Sequence, residues 1–324
     1  MITFGPVPSR RLGRSLGVNN IPPKACTYSC VYCQLGRTKN MEAEARSFYA
    51  PEDIKKDVAE KIDLAHKAGE SIDYCTFVPD GEPTFDMNLG EEIESLKSLG
   101  PKIAVITNSS LIWQQRVREE LSKADWVSLK IDSVEEKIWR KINRPHGSLD
   151  LQKILNGIIE FAKQYQGKLV TETMLVRDLN ESEEQMKMVA DFIKQLSNET
   201  SYLSVPIRPP AEEWVQPPTE ESLIHAYQIM SHEIKNVEYL IGYEGNAFAF
   251  TGDVKKDLLS ITAVHPMRED AVTEFLRKAE ADWSAVDQLI DRGLMVKKTF
   301  QGKIFYSRKL FAPRNIEKLG SRME

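Results

Sequence analysis

The sequence predicts an α/β protein built on parallel strands with a small appended unit, and three observations carry this expectation. Short apolar, β-rich runs alternate with amphipathic helical stretches; each run is bounded by Gly, Pro, Asn or Asp; and the rhythm changes after Gly242. The β-rich runs lie near Leu16 to Val18, Tyr74 to Val78, Ile103 to Thr107, Trp126 to Ile131, Leu169 to Val176 and Tyr202 to Ile207. Between them, Ile54, Val58, Ile62 and Ala65 make one apolar stripe at helical spacing, and Met188, Val189, Phe192, Ile193 and Leu196 make another. Elements in this order require parallel strands joined by right-handed crossovers, as a partial barrel or as an open doubly wound sheet. Pattern alone leaves both open.

Beyond Gly242, Val272, Phe275, Leu276 and Ala279 predict one helix, and Val286, Leu289 and Ile290 a second. Leu294 to Phe300 and Lys303 to Arg308 then read as a hairpin turning at Gln301-Gly302. Helix, helix and hairpin have the outline of a winged helix. The chain therefore divides into residues 1–252 and a winged-helix-like unit with its tail at 253–324, the change falling near Asp253 to Ser260.

With 324 residues, 41% of them apolar and 28% charged, the chain can bury an ordinary core without disulfides and is not a disordered polymer. Its 43 basic and 48 acidic side chains leave a net charge of -5, which argues against coating nucleic acid or anionic lipid but permits a local basic patch. No apolar run approaches the roughly 18 residues of a membrane span. The N-terminus has no charged region followed by an apolar one, so a reducing cytoplasm and no membrane partner are expected.

Disulfides are thus a poor account of the 4 cysteines, three of which fall in Cys26-Thr-Tyr-Ser-Cys30-Val-Tyr-Cys33. Three thiolates this close can converge on one metal centre, and soft sulfur selects zinc, copper(I) or iron-sulfur clusters. Structural zinc takes four ligands, commonly as two pairs, and no second Cys or His pair stands near; Cys75 alone is left as a fourth ligand. Three ligands without a fourth suit a [4Fe-4S] cluster with one iron open to a substrate. Cys75, mid-strand, reads as a buried small hydrophobe.

The C-x3-C-x2-C spacing with Tyr32 before the last cysteine resembles the cluster loop of radical S-adenosylmethionine (SAM) enzymes. The resemblance implies that Cys26, Cys30 and Cys33 hold a [4Fe-4S] cluster. It also implies that SAM binds the open iron and is cleaved to methionine and a 5'-deoxyadenosyl radical, with Tyr32 against the adenine. Asp80-Gly81-Glu82-Pro83 resembles the family's Gly-Gly-Glu-Pro motif, with Asp80 in place of the first Gly, and implies that Gly81 and Glu82 orient the SAM ammonium. Thr107-Asn108-Ser109 and Ser128-Leu-Lys130-Ile-Asp132 resemble the strand ends that contact the ribose and carboxylate of SAM. The likeness runs from Leu16 to Tyr243 and implies a partial (β/α)6 barrel with its site at the C-terminal strand ends. It also implies a small electron donor, a flavodoxin or ferredoxin.

Pro8-Ser-Arg10-Arg11-Leu-Gly-Arg14-Ser-Leu-Gly17, Ile21-Pro-Pro-Lys24 and Cys33-Gln-Leu-Gly-Arg37-Thr38 look like a branch related to the wyosine-base synthases that remodel a guanine in tRNA. Those synthases carry further N-terminal cysteines for a second cluster, and Cys75 alone is too few for one.

Other residues have two readings each. Arg10, Arg11 and Arg14 make either a solvated turn or an anion site, since guanidinium forks suit phosphate and carboxylate. His146 and Arg208 stand where loops can line a cavity, and the Pro-rich stretch Pro206 to Pro218 with Trp214 reads as a rigid closing loop. His66, His225 and His232 fall in helical patterns. Lys297, Lys298, Lys303, Arg308 and Lys309, with no acid among them, offer a basic wing for RNA or an acidic peptide, or a solvated face of a packed unit. The leading expectation is a radical SAM enzyme taking hydrogen from an RNA, peptide or small-molecule substrate. The competing class is a non-catalytic iron-sulfur redox sensor that binds DNA through the winged helix.

Overall fold

The computed structural model describes residues 2–38, 41–78, 80–241, 248, 250 and 252–309; the expected tail at 310–324 and the end of the family likeness at Gly242 and Tyr243 lie outside them. Eight strands form one sheet in chain order: β1 (Thr3–Ser9), β2 (Gly13–Val18), β3 (Tyr74–Phe77), β4 (Lys102–Thr107), β5 (Trp126–Lys130), β6 (Lys168–Met174), β7 (Thr200–Ser204) and β8 (Val237–Leu240). β1 and β2 are an antiparallel hairpin, and every later pair is parallel. The order never turns back. Each crossover therefore adds its strand on the same side and keeps its helix on the same face, which is the geometry of an open barrel and not of a doubly wound sheet.

The six predicted strands are β2 to β7. The pattern hides β1, because Gly5, Pro6 and Pro8 break its alternation; an edge strand with an irregular register between Phe4 and Val7 tolerates them. β8 is only four residues long, too short to stand out.

The helices are α1 (Pro51–Lys67), α2 (Leu89–Lys97), α3 (Gln115–Leu121), α4 (Glu136–Ile142), α5 (Leu151–Gln164), α6 (Glu183–Ile193) and α7 (Glu220–Glu233), with a 3-10 turn at Pro83–Phe85. α1 starts on Pro51, carries Glu52 and Asp53 in its first turn and His66 and Lys67 in its last, and buries Ile54, Val58, Ile62 and Ala65 as predicted. Ser182 caps α6 by accepting a bond from the Gln185 amide. Here the expected stripe is corrected: Met188 is exposed and Met186 is buried, because Met186, Val189, Ala190 and Ile193 share the face at 3, 4 and 7 residues' spacing.

Side-chain alternation divides the sheet's two faces. Cys75, Phe77, Ile103, Val105, Val127, Leu129, Leu169 and Leu203 join the large core under the helices. Their neighbours face inward. Leu12, Ala104, Trp126, Val170, Tyr202 and Leu240 plug the barrel, and Ser128, Lys130, Glu172 and Ser204 share that inner face. Cys75 is thus buried among the hydrophobes of the helix-side core, the small-hydrophobe place its mid-strand position predicts.

After Asp253, which caps it, come α8 (Val254–Val264), β9 (Met267–Arg268), α9 (Glu269–Lys278), α10 (Ser284–Asp291), β10 (Met295–Phe300) and β11 (Lys303–Arg308). The last strands pair as the predicted hairpin, and β9 adds to β11 to make a three-stranded antiparallel sheet. This part packs directly on β1: Ala263 meets Phe4, Ser260 Oγ donates to the Thr3 carbonyl at 3.5 Å, and Lys61 pairs with Asp257 at 3.3 Å. Among the described residues, no helix is long and apolar enough to cross a membrane.

Candidate functional site

The cysteine loop leaves the C-terminal end of β2 and is held from several sides. Ser29 and Val31 donate their amides to the carbonyls of Asn143 and Ile142, and His146 donates to that of Thr27 at 2.9 Å. Trp139 Nε1 reaches the Tyr28 hydroxyl at 3.1 Å, and Thr27 shares a 2.6 Å bond with Ser110. Three non-glycine residues around this loop, Lys24, Ser109 and Arg144, adopt φ of 67°, 65° and 45°. Such left-handed backbone is costly for a residue with a Cβ and persists where the surroundings dictate it.

Each thiol of the loop meets a nitrogen from a different segment. Asn108 Nδ2 lies 3.6 Å from Cys26 Sγ, Asn143 Nδ2 3.5 Å from Cys30 Sγ, and Lys24 Nζ 3.6 Å from Cys33 Sγ. All three are partly buried and none is in a disulfide. Burial, then the neighbouring Cys30, pushes the Cys26 thiol well up; burial raises Cys30 to about 12 against the lowering bond from Asn143. Cys26 and Cys30 thus keep their protons until a metal displaces them. Three soft donors on one short loop, each with an N–H or ammonium to stabilise thiolate charge, suit an iron-sulfur cluster by their chemistry.

The Asp80 to Pro83 segment runs against this loop. A Cβ on Gly81 would sit 2.0 Å from the Ala25 carbonyl oxygen, which is the reason only glycine fits; the Glu82 amide donates to the same oxygen at 3.0 Å. Glu82 is 1% exposed, and both its carboxylate oxygens are engaged. Oε1 accepts from Thr84 Oγ1, Thr107 Oγ1 and the Thr84 amide at 2.6, 2.6 and 3.1 Å, and Oε2 from the Asn108 amide at 2.7 Å. Burial raises its pKa, opposed by these bonds. Glu82 therefore ties the motif to the end of β4. Asp80, 3% exposed, donates its amide to Asn19 Oδ1 and accepts the Lys24 amide at its carbonyl, and burial lifts its carboxyl to about 7.

Behind Pro83, Asn20 Nδ2 donates to the Pro83 carbonyl at 3.2 Å and to Glu92 at 3.0 Å. Glu92 is fully buried beside Asp86; burial and then Asp86 raise it to about 9.

Across the mouth, Asp132 accepts from Tyr32 Oη, from Asn143 Nδ2 at 2.7 Å and from the Met174 amide at 2.8 Å. Lys130 Nζ lies 5.1 Å over the Tyr32 ring and pairs with Glu172 at 2.8 Å. Glu172 also accepts from Ser204 Oγ at 2.9 Å and Arg11 Nη1 at 2.6 Å. Burial alone would raise Glu172, but Lys130 and Arg11 hold it below the usual carboxylate range. A small cavity of about 20 Å³ brings Asn108, Lys130 and Asp132 together with Tyr28 and Asn143. Ser128 is buried on the same inner strand face as Lys130.

Other candidates disperse. Of the three arginines, Arg10 caps the Ile241 carbonyl, Arg14 pairs with Glu70, and only Arg11 turns into the barrel, because the β1–β2 turn aims them apart. His146 bonds Ser148, Trp214 is exposed, and His225 and His232 sit on the surface beside Glu183 and Glu233. Asn143 and Glu172 escape the motif search, and Lys24 enters it only as the last residue of Ile21-Pro-Pro-Lys24, with no role attached. Glu172 had a signal: an acid at an inward position of an otherwise buried strand.

The sequence profile of the radical SAM superfamily matches residues 20–193. A UPF0026 protein of Methanocaldococcus jannaschii is 49% identical over 311 residues, covering 95% of this chain and 96% of that one. A radical SAM methyltransferase from Sphaerobacter thermophilus superposes with a TM-score of 0.52 at 14% identity, over 70% of this chain and 67% of its own. TYW1 with a lysine-pyruvate adduct bound gives 0.50 at 16% identity, over 68% and 73%. These structural likenesses speak for the fold alone, and none of these proteins lends support to a redox-sensor reading.

Proposed function

The chain belongs to the radical SAM superfamily, whose members use a [4Fe-4S] cluster and SAM, and from that premise we propose that it is an enzyme that abstracts hydrogen from a substrate held in its barrel. The observation that carries the reading is that Cys26, Cys30 and Cys33 share one loop, each sulfur with its own nitrogen neighbour, beside a glycine-dependent Gly81–Ala25 contact. When bound, the cluster and SAM supply a reductive cleavage that yields methionine and a 5'-deoxyadenosyl radical.

The protein's part is to hold, orient and shield. Cys26, Cys30 and Cys33 hold the cluster, and Asn108, Asn143 and Lys24 stabilise the charge on their sulfurs. Glu82, with both oxygens occupied, fixes the Gly81 backbone and the Thr107–Asn108 turn, so the SAM ammonium falls to the backbone carbonyls near Gly81 and Asp80. Lys130 is the cation on the inner face for the SAM carboxylate, Ser128 and Thr107 serve its ribose, and Tyr32, oriented by Asp132, faces the adenine. The division at residue 252 and the winged-helix-like reading of 253–309 belong to the same proposal. There the basic face of Lys297, Lys298 and Lys303 meets RNA, and a flavodoxin or ferredoxin delivers the electron.

The test is anaerobic reconstitution with iron and sulfide, then SAM and a strong reductant, with 5'-deoxyadenosine as the readout. A reconstituted [4Fe-4S] protein that neither binds nor cleaves SAM sinks the enzyme reading. RNA recovered with the wild-type chain from cells, compared with a variant in which Lys297, Lys298 and Lys303 become Glu, tests the basic face; equal recovery removes it.

A further inference from the structure

A cavity of about 140 Å³ lies inside the barrel's open edge, between the inner face of β1 to β4 and the residues that follow Cys33. Gln34 and Leu35 roof it, Ser15 and Thr76 line its strand side, and His265, at the C-terminal end of α8, closes it from the appended unit. Resting on the reading of this barrel as a radical enzyme, we infer that the cavity holds the substrate by an oxyanion, a carboxylate or phosphoryl group, with Arg11 as the anchor.

Arg11 is built into the cavity wall. Its side chain is 11% exposed, Nη1 is fixed by Glu172 at 2.6 Å, and the guanidinium sits 5.8 Å from the ring centres of both Trp126 and Tyr202. These contacts hold the fork in one orientation, yet its Nε is buried with no hydrogen-bond partner. That nitrogen is closed off, and Nη1 is taken by Glu172, so the nitrogen left to a ligand is Nη2, for which no partner stands among the described residues. A guanidinium held rigid in this way presents a charge-assisted N–H to an oxyanion in one fixed direction, which a flexible lysine does not. Among the described residues that line this cavity there is no carboxylate; Glu172, which holds Nη1, stands outside that lining.

A second guanidinium ties two of the lining residues together. Arg208 reaches Gln34 at 3.1 Å and the His265 ring at 3.0 Å, and both of those residues line the cavity. Burial, and then Arg208, keeps His265 well below its ordinary pKa, so it enters as a neutral ring. Phe4, Val7, Leu12, Val78 and Ile106 also line the cavity and give it apolar surface for a carbon skeleton, the part of a substrate that carries C–H bonds. The volume is near the roughly 150 Å³ of an engineered cavity that takes up benzene, so the occupant is a small molecule or one end of a larger one.

The full chain is titrated by calorimetry without SAM or reductant, using butyrate and inorganic phosphate as the two oxyanions and 1-butanol as the uncharged control. Saturable binding of at least one oxyanion is expected, tenfold or more weaker in Arg11→Gln and unchanged in Arg14→Gln, whose side chain pairs with Glu70 elsewhere. Leu35→Trp, which fills the cavity without touching the Arg11–Glu172 pair, must also weaken binding, and it decides the matter if Arg11→Gln fails to melt as a folded protein. Tighter butyrate assigns a carboxylate, and tighter phosphate a phosphoryl group. Binding of neither oxyanion, binding undiminished in the cavity variants, or butanol binding as tightly as butyrate overturns the inference. Because no SAM is present, this result stands or falls apart from the 5'-deoxyadenosine assay.

Discussion

Gly81 and Ala25 pack backbone against backbone: a Cβ on Gly81 would lie 2.0 Å from the Ala25 carbonyl oxygen, one residue before the first cysteine of the loop. The Asp80–Pro83 segment and the cysteine loop are thus one packed unit. Gly81→Ala is expected to displace the loop, lower iron incorporation after reconstitution, and cost about 1–3 kcal/mol as an overpacking change. Iron per chain and a denaturant melt measure both effects, and a variant that loads iron normally would refute the coupling.

The cysteines divide into three and one. Replacing Cys26, Cys30 or Cys33 by Ala should abolish the cluster and 5'-deoxyadenosine formation. Cys75→Ala, in the core under the helices, should keep both and lose about 1 kcal/mol of stability. The ultraviolet-visible spectrum after reconstitution is the measurement.

Asn143 Nδ2 donates toward Cys30 Sγ at 3.5 Å. An N–H aimed at sulfur favours the more negative, reduced cluster, so Asn143→Leu should shift the midpoint potential downward while iron content stays near wild type. An EPR-monitored redox titration reads the shift. An unchanged potential would mean that the side chain serves only Tyr32 and Asp132.

Glu92 supplies a pH dependence of stability. Its folded pKa is raised, to about 9 against an ordinary 4.5, by burial and by Asp86. Between those values the folded chain holds a proton the unfolded chain has released, so stability falls as pH rises through this window. Denaturant midpoints should therefore decline from pH 5.5 to 8.5, and Glu92→Gln should flatten that slope. A Gln variant with the wild-type slope would assign the dependence elsewhere.

Glu82→Gln replaces an all-acceptor carboxylate with a group that brings two N–H donors to a site already filled by donors from Thr84, Thr107 and Asn108. A loss of roughly 1–3 kcal/mol is expected, together with weaker SAM binding, because the Gly81 turn loosens. Equilibrium dialysis with SAM and a thermal melt measure the two. Full SAM affinity in a destabilised Gln variant would separate the clamp from the SAM site.

Much of this was legible in the chain. Period and punctuation announced β2 to β7 because those strands are bounded runs with helices between them, and the short-range spacing of Cys26, Cys30 and Cys33 announced a metal centre because ligands close in sequence need no fold to bring them together. Even Cys75 followed from its place within an apolar run, since alternation sends it to the helix-side core.

What depended on distance in sequence was not legible. Local pattern is the same for an open barrel and a doubly wound sheet; the family resemblance implied the barrel, and the strand order bears it out. Asn143 comes to Cys30 across 113 residues and Arg11 to Glu172 across 161, so neither partner marks the other in the chain. Glu82 carries the motif's name in the sequence, but only packing shows its carboxylate filled by four donors. The three crowded arginines are one cluster as letters and three separate contacts in space, because a tight turn points consecutive side chains in different directions. The sequence determined the local chemistry, and the tertiary fold decided which groups share a site, since a buried charge or thiol finds its partner through packing of the whole sheet.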